Sequence, residues 1–187
     1  MAQAPIKPDL LEQTLAAARR QGQTVTSEGV SIAPSLPGVR RHLTPTQTDM
    51  RGWLVELFHP SWEIATEPLV GAYVTTVRPG YAKGWGLHKE HYDRYSLVLG
   101  AIDVILYDVR PDSPTSGQLA KVTLSEANRG LMTIPAFVWH AMRNLTDREA
   151  VIVNMPSMRF DHSNPDKWTL PLDTPLIPYD FGDTPGW

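Results

Sequence analysis

Apolar residues beyond about residue 41 come in short runs, many alternating with polar ones: "GWLVELF" (52–58), "VGAYVTTV" (70–77), "RYSLVLG" (94–100), "AIDVILYDV" (101–109), "QLAKVTL" (118–124), "GLMTIP" (130–135) and "EAVIVNM" (149–155). These runs favour β-branched and aromatic side chains, and turn clusters such as "RPG", "RPDSPTSG", "NRG" and "LTDRE" separate them. Short strands at this spacing predict an antiparallel sandwich or barrel. The segment "KPDLLEQTLAAARRQG" (7–22) has a different period. Leu11, Leu15 and Ala18 share one helical face, Asp9 is placed to cap the start, and Gly22 suits the end. Residues 23–40 are polar and turn-rich. The expected organisation is therefore a helix-and-linker arm over 1–40 and an all-β domain over 41–187. The helix serves either as a dimer arm or as a cover for its own domain. The proline-rich, aromatic tail "DKWTLPLDTPLIPYDFGDTPGW" is expected to pack as extended chain on the outside of that domain.

Composition narrows the function. Of 187 residues, 42% are hydrophobic, enough for a sizeable core, and the formal net charge of −3 gives no electrostatic case for nucleic acid or an anionic membrane. The chain has no cysteine, which removes disulfides and thiolate chemistry and suits a reducing cytoplasm. The start "MAQAPIKPDLLEQ" lacks a basic segment followed by an apolar one, and no apolar run is long enough to span a bilayer. A cytoplasmic protein acting on a small molecule is expected.

Candidate chemistry concentrates in "GWGLHKEHYDRYSLVLG" (84–100), where His88, His91, Asp93 and Arg94 precede a strand-like run. A second histidine, His140, follows Trp139 in "IPAFVWHAMRNL" (134–145). Polar side chains aimed into a barrel are costly unless paired or used. His42, His59 and His162 have no neighbours in sequence that single them out, and are expected on the surface or in packing.

Several stretches carry a resemblance. "DVRPDSPTSG" (108–117) resembles the Asp-x-Arg-x-x-Ser-Pro-Thr-x-Gly stretch of the dTDP-4-dehydrorhamnose 3,5-epimerase family, and "GLH" (86–88) is similar to that family's Arg-Gly-Leu-His. "TDMRGWLVELF" (48–58), "IPAFVWHAMRNL" and "LPLDTPLIPYDF" (170–181) resemble further family segments in the same order. The resemblance implies a cupin jelly roll, two antiparallel sheets around a cavity, in a homodimer, with His88 at the catalytic histidine. It implies a keto-sugar substrate, a nucleotide sugar among the options, and no cofactor. The departures are equally specific. Trp85 stands for the family's arginine, its cavity lysine falls at Asp93, and its tyrosine falls at Val153 or Asn154. The aspartate that pairs with the histidine is expected beyond the end of this chain.

Epimerisation beside a ketone needs a base, a donor to the enolate oxygen and an acid on the opposite face. His88 is the expected base, with Asp173, Asp180 or Asp183 as its partner carboxylate. Arg94 and His140 are the expected enolate contacts. Trp85, His91, Tyr95, Trp139 and Asn154 are expected to bind substrate, with Trp85 tilting the choice toward one less charged than a nucleotide diphosphate sugar. No residue presents itself as the opposite-face acid. Asp108 and Arg110 are expected to pair structurally around the Ser-Pro-Thr turn. Two other readings stay open. In the first, a divalent metal (Fe, Mn, Ni or Zn) is held by His88, Asp93 and His140, with His91 as a fourth ligand. Six residues separate Asp93 from Gly100, the cupin acid's spacing, while Phe137 replaces a motif glycine before His140. His88 and His91, an odd number of positions apart, share a site only if the chain turns between them. In the second, the protein binds a small ligand without turnover.

Overall fold

The computed structural model describes residues 8–28 and 31–186. The chain forms two compact units that divide between Pro34 and Ser35. In the first, helix α1 spans Pro8–Ala17, shorter than the expected 7–22. Asp9 lies inside the first turn rather than capping it, where its charge opposes the positive end of the helix. The Ala18 amide still bonds to the Thr14 carbonyl, and Val25 bridges to Ser31.

The second unit is built from strands β1 (Arg40–Leu43), β2 (Gln47–Asp49), β3 (Gly52–Leu54), β4 (Tyr73–Val77), β5 (Ala82–Leu87), β6 (Asp93–Leu99), β7 (Ala101–Asp108), β8 (Leu119–Ser125), β9 (Gly130–Ile134), β10 (Val138–Asn144), β11 (Ala150–Asn154) and β12 (Trp168–Thr169). One sheet runs β1-β9-β6-β11-β4 and the other β12-β5-β10-β7-β8, with every pairing antiparallel. The expected strand at 52–58 is instead the short return arm of a separate β2–β3 hairpin. Strands β1, β5, β10 and β12 lie outside the apolar runs that the sequence pattern marked.

The interior is apolar, with Leu97, Ile102, Val104, Leu106, Met132, Ile134 and Ile152 at its centre. Tyr95 and Met142 belong to this core and also line the cavity described below, so core and cavity are continuous. A second apolar cluster forms where the C-terminal tail crosses the β5–β10–β7 face. There Leu172, Ile177 and Phe181 pack on Trp85, Ile105 and Ala141. The tail closes on β5 at Gly186, where an added Cβ would sit 2.1 Å from the Ala82 carbonyl oxygen. The Ser-Pro-Thr turn is structural, as expected. Asp108 accepts hydrogen bonds from Arg110, Ser113 and Thr115, and Arg110 also reaches the Pro37 carbonyl. Phe137, which replaces the motif glycine, keeps a glycine-like φ of 58°.

Candidate active site

The two sheets enclose a cavity of about 590 Å³, within the size range of small-molecule sites. Strand alternation decides what reaches it. On β5, Gly84 and Gly86 face the cavity and His88 follows at the strand's end; on β10, His140 and Met142 face in. On β6 it is Asp93 and Tyr95, on the adjacent β11 Asn154, and on the edge strand β4 Tyr73. The glycine at 86 leaves room for the second histidine: a Cβ there would lie 3.4 Å from His140 Nε2.

The same alternation turns three expected site residues away. Trp85 is fully buried on the outer face of its sheet, edge-on to Tyr179 and Phe181. Its Nε1 has no hydrogen-bond partner among the described residues. Trp139 packs in the same outer cluster. The Arg94 guanidinium points away from the cavity and donates to the carbonyls of Met155, Glu67, Pro68 and Pro156. None of the three lines the cavity. The case for a less charged substrate, built on Trp85 as a cavity wall, falls with them. Lys83, Arg159 and Lys167 line the cavity instead and bring positive charge.

At the centre stand His88, Asp93 and His140. Asp93 Oδ2 lies 3.3 Å from Nε2 of both histidines. The Nδ1–H of His88 donates to the Asp166 carbonyl at 2.5 Å, and that of His140 to the Val138 carbonyl at 3.1 Å. Both rings are thereby held with Nε2 toward the carboxylate. Asp93 Oδ1 accepts from Asn154 Nδ2 at 2.8 Å. Burial works against charge on His88, but its hydrogen bond to Asp93 and that carboxylate's charge raise it above the ordinary imidazole value, helped by the Asp166 carbonyl. Burial alone would raise the Asp93 carboxyl; the two imidazoles of His140 and His88 beside it hold it well below its usual range. The partner carboxylate of His88 is therefore Asp93. Asp173 and Asp180 instead line a separate hollow in the C-terminal tail, and Asp183 lies outside the cavity, with both neighbours in that tail hollow.

The chain leaves the strand after Leu87, so His91 also reaches the cavity. It does not join the Asp93 group. Its Nδ1–H donates to Asp166 Oδ2 at 2.7 Å, its ring lies 4.0 Å from that of His88, and burial followed by the neighbouring His88 lowers its pKa. Among the described residues the ligand-type clusters are thus His88–Asp93–His140 and His88–His91–Asp166.

Asp166, Tyr73 and His162 were not singled out in the sequence, yet all line the cavity. Asp166 also accepts from the backbone amides of Lys89 and Glu90, which fixes the turn between the two histidines. It supports His88 through its backbone carbonyl, whereas the carboxylate beside His88 Nε2 is that of Asp93. Tyr73 pairs with Asn154 in register across the β4–β11 ladder, and its hydroxyl accepts from Asn154 Nδ2 at 2.7 Å. Burial first, and then the charge of Asp93, raise the Tyr73 phenol. Tyr95, more deeply buried, is pushed well above its ordinary value by the same two causes. Of the two positions where the family tyrosine falls, Asn154 faces the cavity, while Val153 packs on the opposite face beside Leu131 and Met155.

A family model described as dTDP-4-dehydrorhamnose 3,5-epimerase matches residues 34–171. The chain belongs to the dTDP-4-dehydrorhamnose 3,5-epimerase family. It is 33% identical over 150 residues to a Haloferax volcanii protein described as "Probable low-salt glycan biosynthesis epimerase Agl13", covering 79% of this chain and 96% of that protein. It is 28% identical over 146 residues to the spore coat polysaccharide biosynthesis protein SpsL of Bacillus subtilis, covering 78% and 96%. Among solved structures, a dTDP sugar isomerase from Desulfovibrio desulfuricans superposes with a TM-score of 0.74 at 26% identity, covering 80% of this chain and 95% of that one. The fold is the jelly roll of these epimerases, also seen at 20% identity and a TM-score of 0.67 (80% of this chain, 81% of that one) in a Legionella pneumophila 3,5-epimerase bound to dTDP-4-keto-L-rhamnose. Epimerases of this family need no cofactor.

Proposed function

We propose that this chain epimerises a nucleotide-linked keto sugar, with His88 removing the proton from the carbon beside the ketone. The observation that carries this is the cavity-facing His88 ring, pinned at Nδ1 by the Asp166 carbonyl and set opposite His140. Neutral His88 accepts the proton at Nε2, and Asp93 stabilises the resulting imidazolium. His140 Nε2 faces the same point and donates to the enolate oxygen when that nitrogen carries a proton. Tyr73 supplies the acid that the family's missing tyrosine would provide. Asn154 occupies that position and holds the Tyr73 hydroxyl as an acceptor, which leaves the phenolic proton to donate into the cavity from the sheet opposite His88. Its raised pKa keeps the phenol protonated until an enolate forms. Lys83, Arg159 and Lys167 offer cations to a diphosphate in a cavity that Asp93, Asp161 and Asp166 also line. The protein acts as a homodimer in the cytoplasm.

The test is hydrogen exchange from dTDP-4-keto-L-rhamnose in deuterated water, followed by proton NMR. Wild-type protein should wash out the signals beside the ketone, and His88→Asn should not. Exchange that survives in His88→Asn removes His88 as the base. Tyr73→Phe should retain exchange on the His88 face and lose inversion; full inversion in that variant removes Tyr73 from the reaction.

A further inference from the structure

The hydrogen bonding around Asp93 carries a consequence beyond proton abstraction. A carbonyl oxygen only accepts, so the Asp166 and Val138 carbonyls require the proton of each imidazole to sit on Nδ1. In the neutral tautomer, each Nε2 then presents a lone pair. Both lone pairs face one carboxylate oxygen that is itself an acceptor, at 3.3 Å. Three acceptors aimed at a common point repel one another unless something positive lies between them. A proton on an imidazole is one solution. A cation is the other.

The geometry points to a binding site for a divalent transition-metal ion made by His88 Nε2, His140 Nε2 and Asp93 Oδ2, whose occupation switches off the proton abstraction proposed above. The three donor atoms lie within 4.8 Å of one another. Ligands at metal–ligand distances of about 2.1 Å and tetrahedral angles sit about 3.4 Å apart, which the two nitrogen–oxygen separations approach. The orienting contacts are also those a metal site uses, since each imidazole donates its other N–H to a carbonyl and the carboxylate's free oxygen accepts from Asn154. Two imidazoles and one carboxylate select the zinc, cobalt or nickel class over magnesium or calcium. The cavity side leaves a coordination position open to water.

Ion and substrate proton use the same atom. A metal on His88 Nε2 takes the lone pair that would accept the proton, and it occupies the His140 nitrogen that would face the enolate. The inhibitory half of this inference rests on the epimerase reading; the binding half stands without it.

Zinc or cobalt would be titrated into full-length protein stripped with EDTA, by calorimetry and by the visible cobalt spectrum. One ion per chain is expected, with a cobalt spectrum of low coordination number, and binding weakened at least about tenfold by His140→Asn and by Asp93→Asn. His162→Ala, outside the cluster, should bind as wild type. No binding up to millimolar ion, or unchanged affinity in both ligand variants, overturns the site. Because the wild-type cobalt titration reports stoichiometry, coordination number and donor type, binding itself is tested even if a variant fails to fold. Zinc should abolish exchange from dTDP-4-keto-L-rhamnose in proportion to occupancy, and EDTA should restore it. A loaded protein that exchanges as fast as the stripped one overturns the inhibition. Absence of exchange in stripped protein counts against the epimerase reading alone, since the calorimetry judges the ion site by itself.

Discussion

Replacing Arg94 by methionine separates a structural role from a catalytic one. The side chain is fully buried, and among the described residues its guanidinium forms no ion pair; backbone carbonyls take its hydrogen bonds, with the Glu67 charge acting at longer range. Nε donates to Met155 at 2.8 Å, Nη1 to Glu67 at 2.7 Å, and Nη2 to Pro68 at 2.8 Å and Pro156 at 3.3 Å. The cation also stands over the Phe58 and Tyr92 rings. One side chain thus ties the 67–68 and 155–156 segments to the start of β6. Methionine keeps the length and removes every donor. Hydrogen bonds from a charged donor contribute about 1.5–3 kcal/mol each, but water re-satisfies part of the half-buried pair at Glu67 and Pro68, and the variant no longer buries a charge. A net loss of about 3 kcal/mol follows, which lowers the melting temperature of a domain this size by about 6–12 °C. Calorimetric melting reads that shift, and exchange measured on the folded protein should stay within about threefold of wild type. A variant that melts like wild type but exchanges orders of magnitude more slowly would show Arg94 reaching the substrate and refute the argument.

Four more outcomes follow from the site and its supports. In metal-free protein, exchange should rise with pH along a limb above the ordinary imidazole value, because a raised His88 must lose its proton before it accepts another; Asp93→Asn should move that limb to lower pH. The stability that His88 draws from Asp93 is complete below the unfolded imidazole value and is lost as pH rises through the folded one, while that of Asp93 is lost as pH falls below the carboxylate range, so melting should show the largest cost of Asp93→Asn between about pH 4 and 6.5. Asp108→Asn removes the acceptor shared by Arg110, Ser113 and Thr115, and should cost about 2 kcal/mol in denaturant unfolding while leaving exchange unchanged. Phe137→Gly should raise the melting temperature by about 1–3 °C, since phenylalanine holds a left-handed backbone there at a cost of about 1 kcal/mol.

The sequence was most legible where strands serve only the core. The runs at 94–100, 101–109, 118–124, 130–135 and 149–155 each lie within two residues of a strand in the structure. It was least legible where strands serve the cavity. "AKGWGL" on β5 has two glycines on its inward side, and at Gly86 a Cβ would already touch the His140 ring. "VWHAMRN" on β10 sends a histidine inward and has a single β-branched residue. Local pattern fails at both because the inward face serves a ligand. His88 and His140, singled out by motif, and Asp93, singled out by spacing, all line the cavity. Arg94, Trp85 and Trp139 were misplaced because each is the immediate neighbour of an inward residue and so points to the other face. Asp166 and Tyr73 had no local signal: they are 78 and 15 positions from His88, and only the closing of the two sheets brings them to it.

The two departures at 93 and 154 are coupled. A carboxylate placed alone in this cavity would be buried without donors, a cost of several kcal/mol. Asn154 removes part of that cost by donating to Asp93 Oδ1, and the same amide turns to hold the Tyr73 hydroxyl. A phenol at 154 has one proton and cannot serve both. With lysine at 93, the field at His88 would favour neutral imidazole; with aspartate it favours imidazolium. On the proposed mechanism, one exchange of charge sets the pH at which His88 is free, places an amide next to the carboxylate, and moves the acid one strand outward to Tyr73 on β4. The same inversion turns a cavity that would repel a cation into one whose three inward lone pairs converge on it.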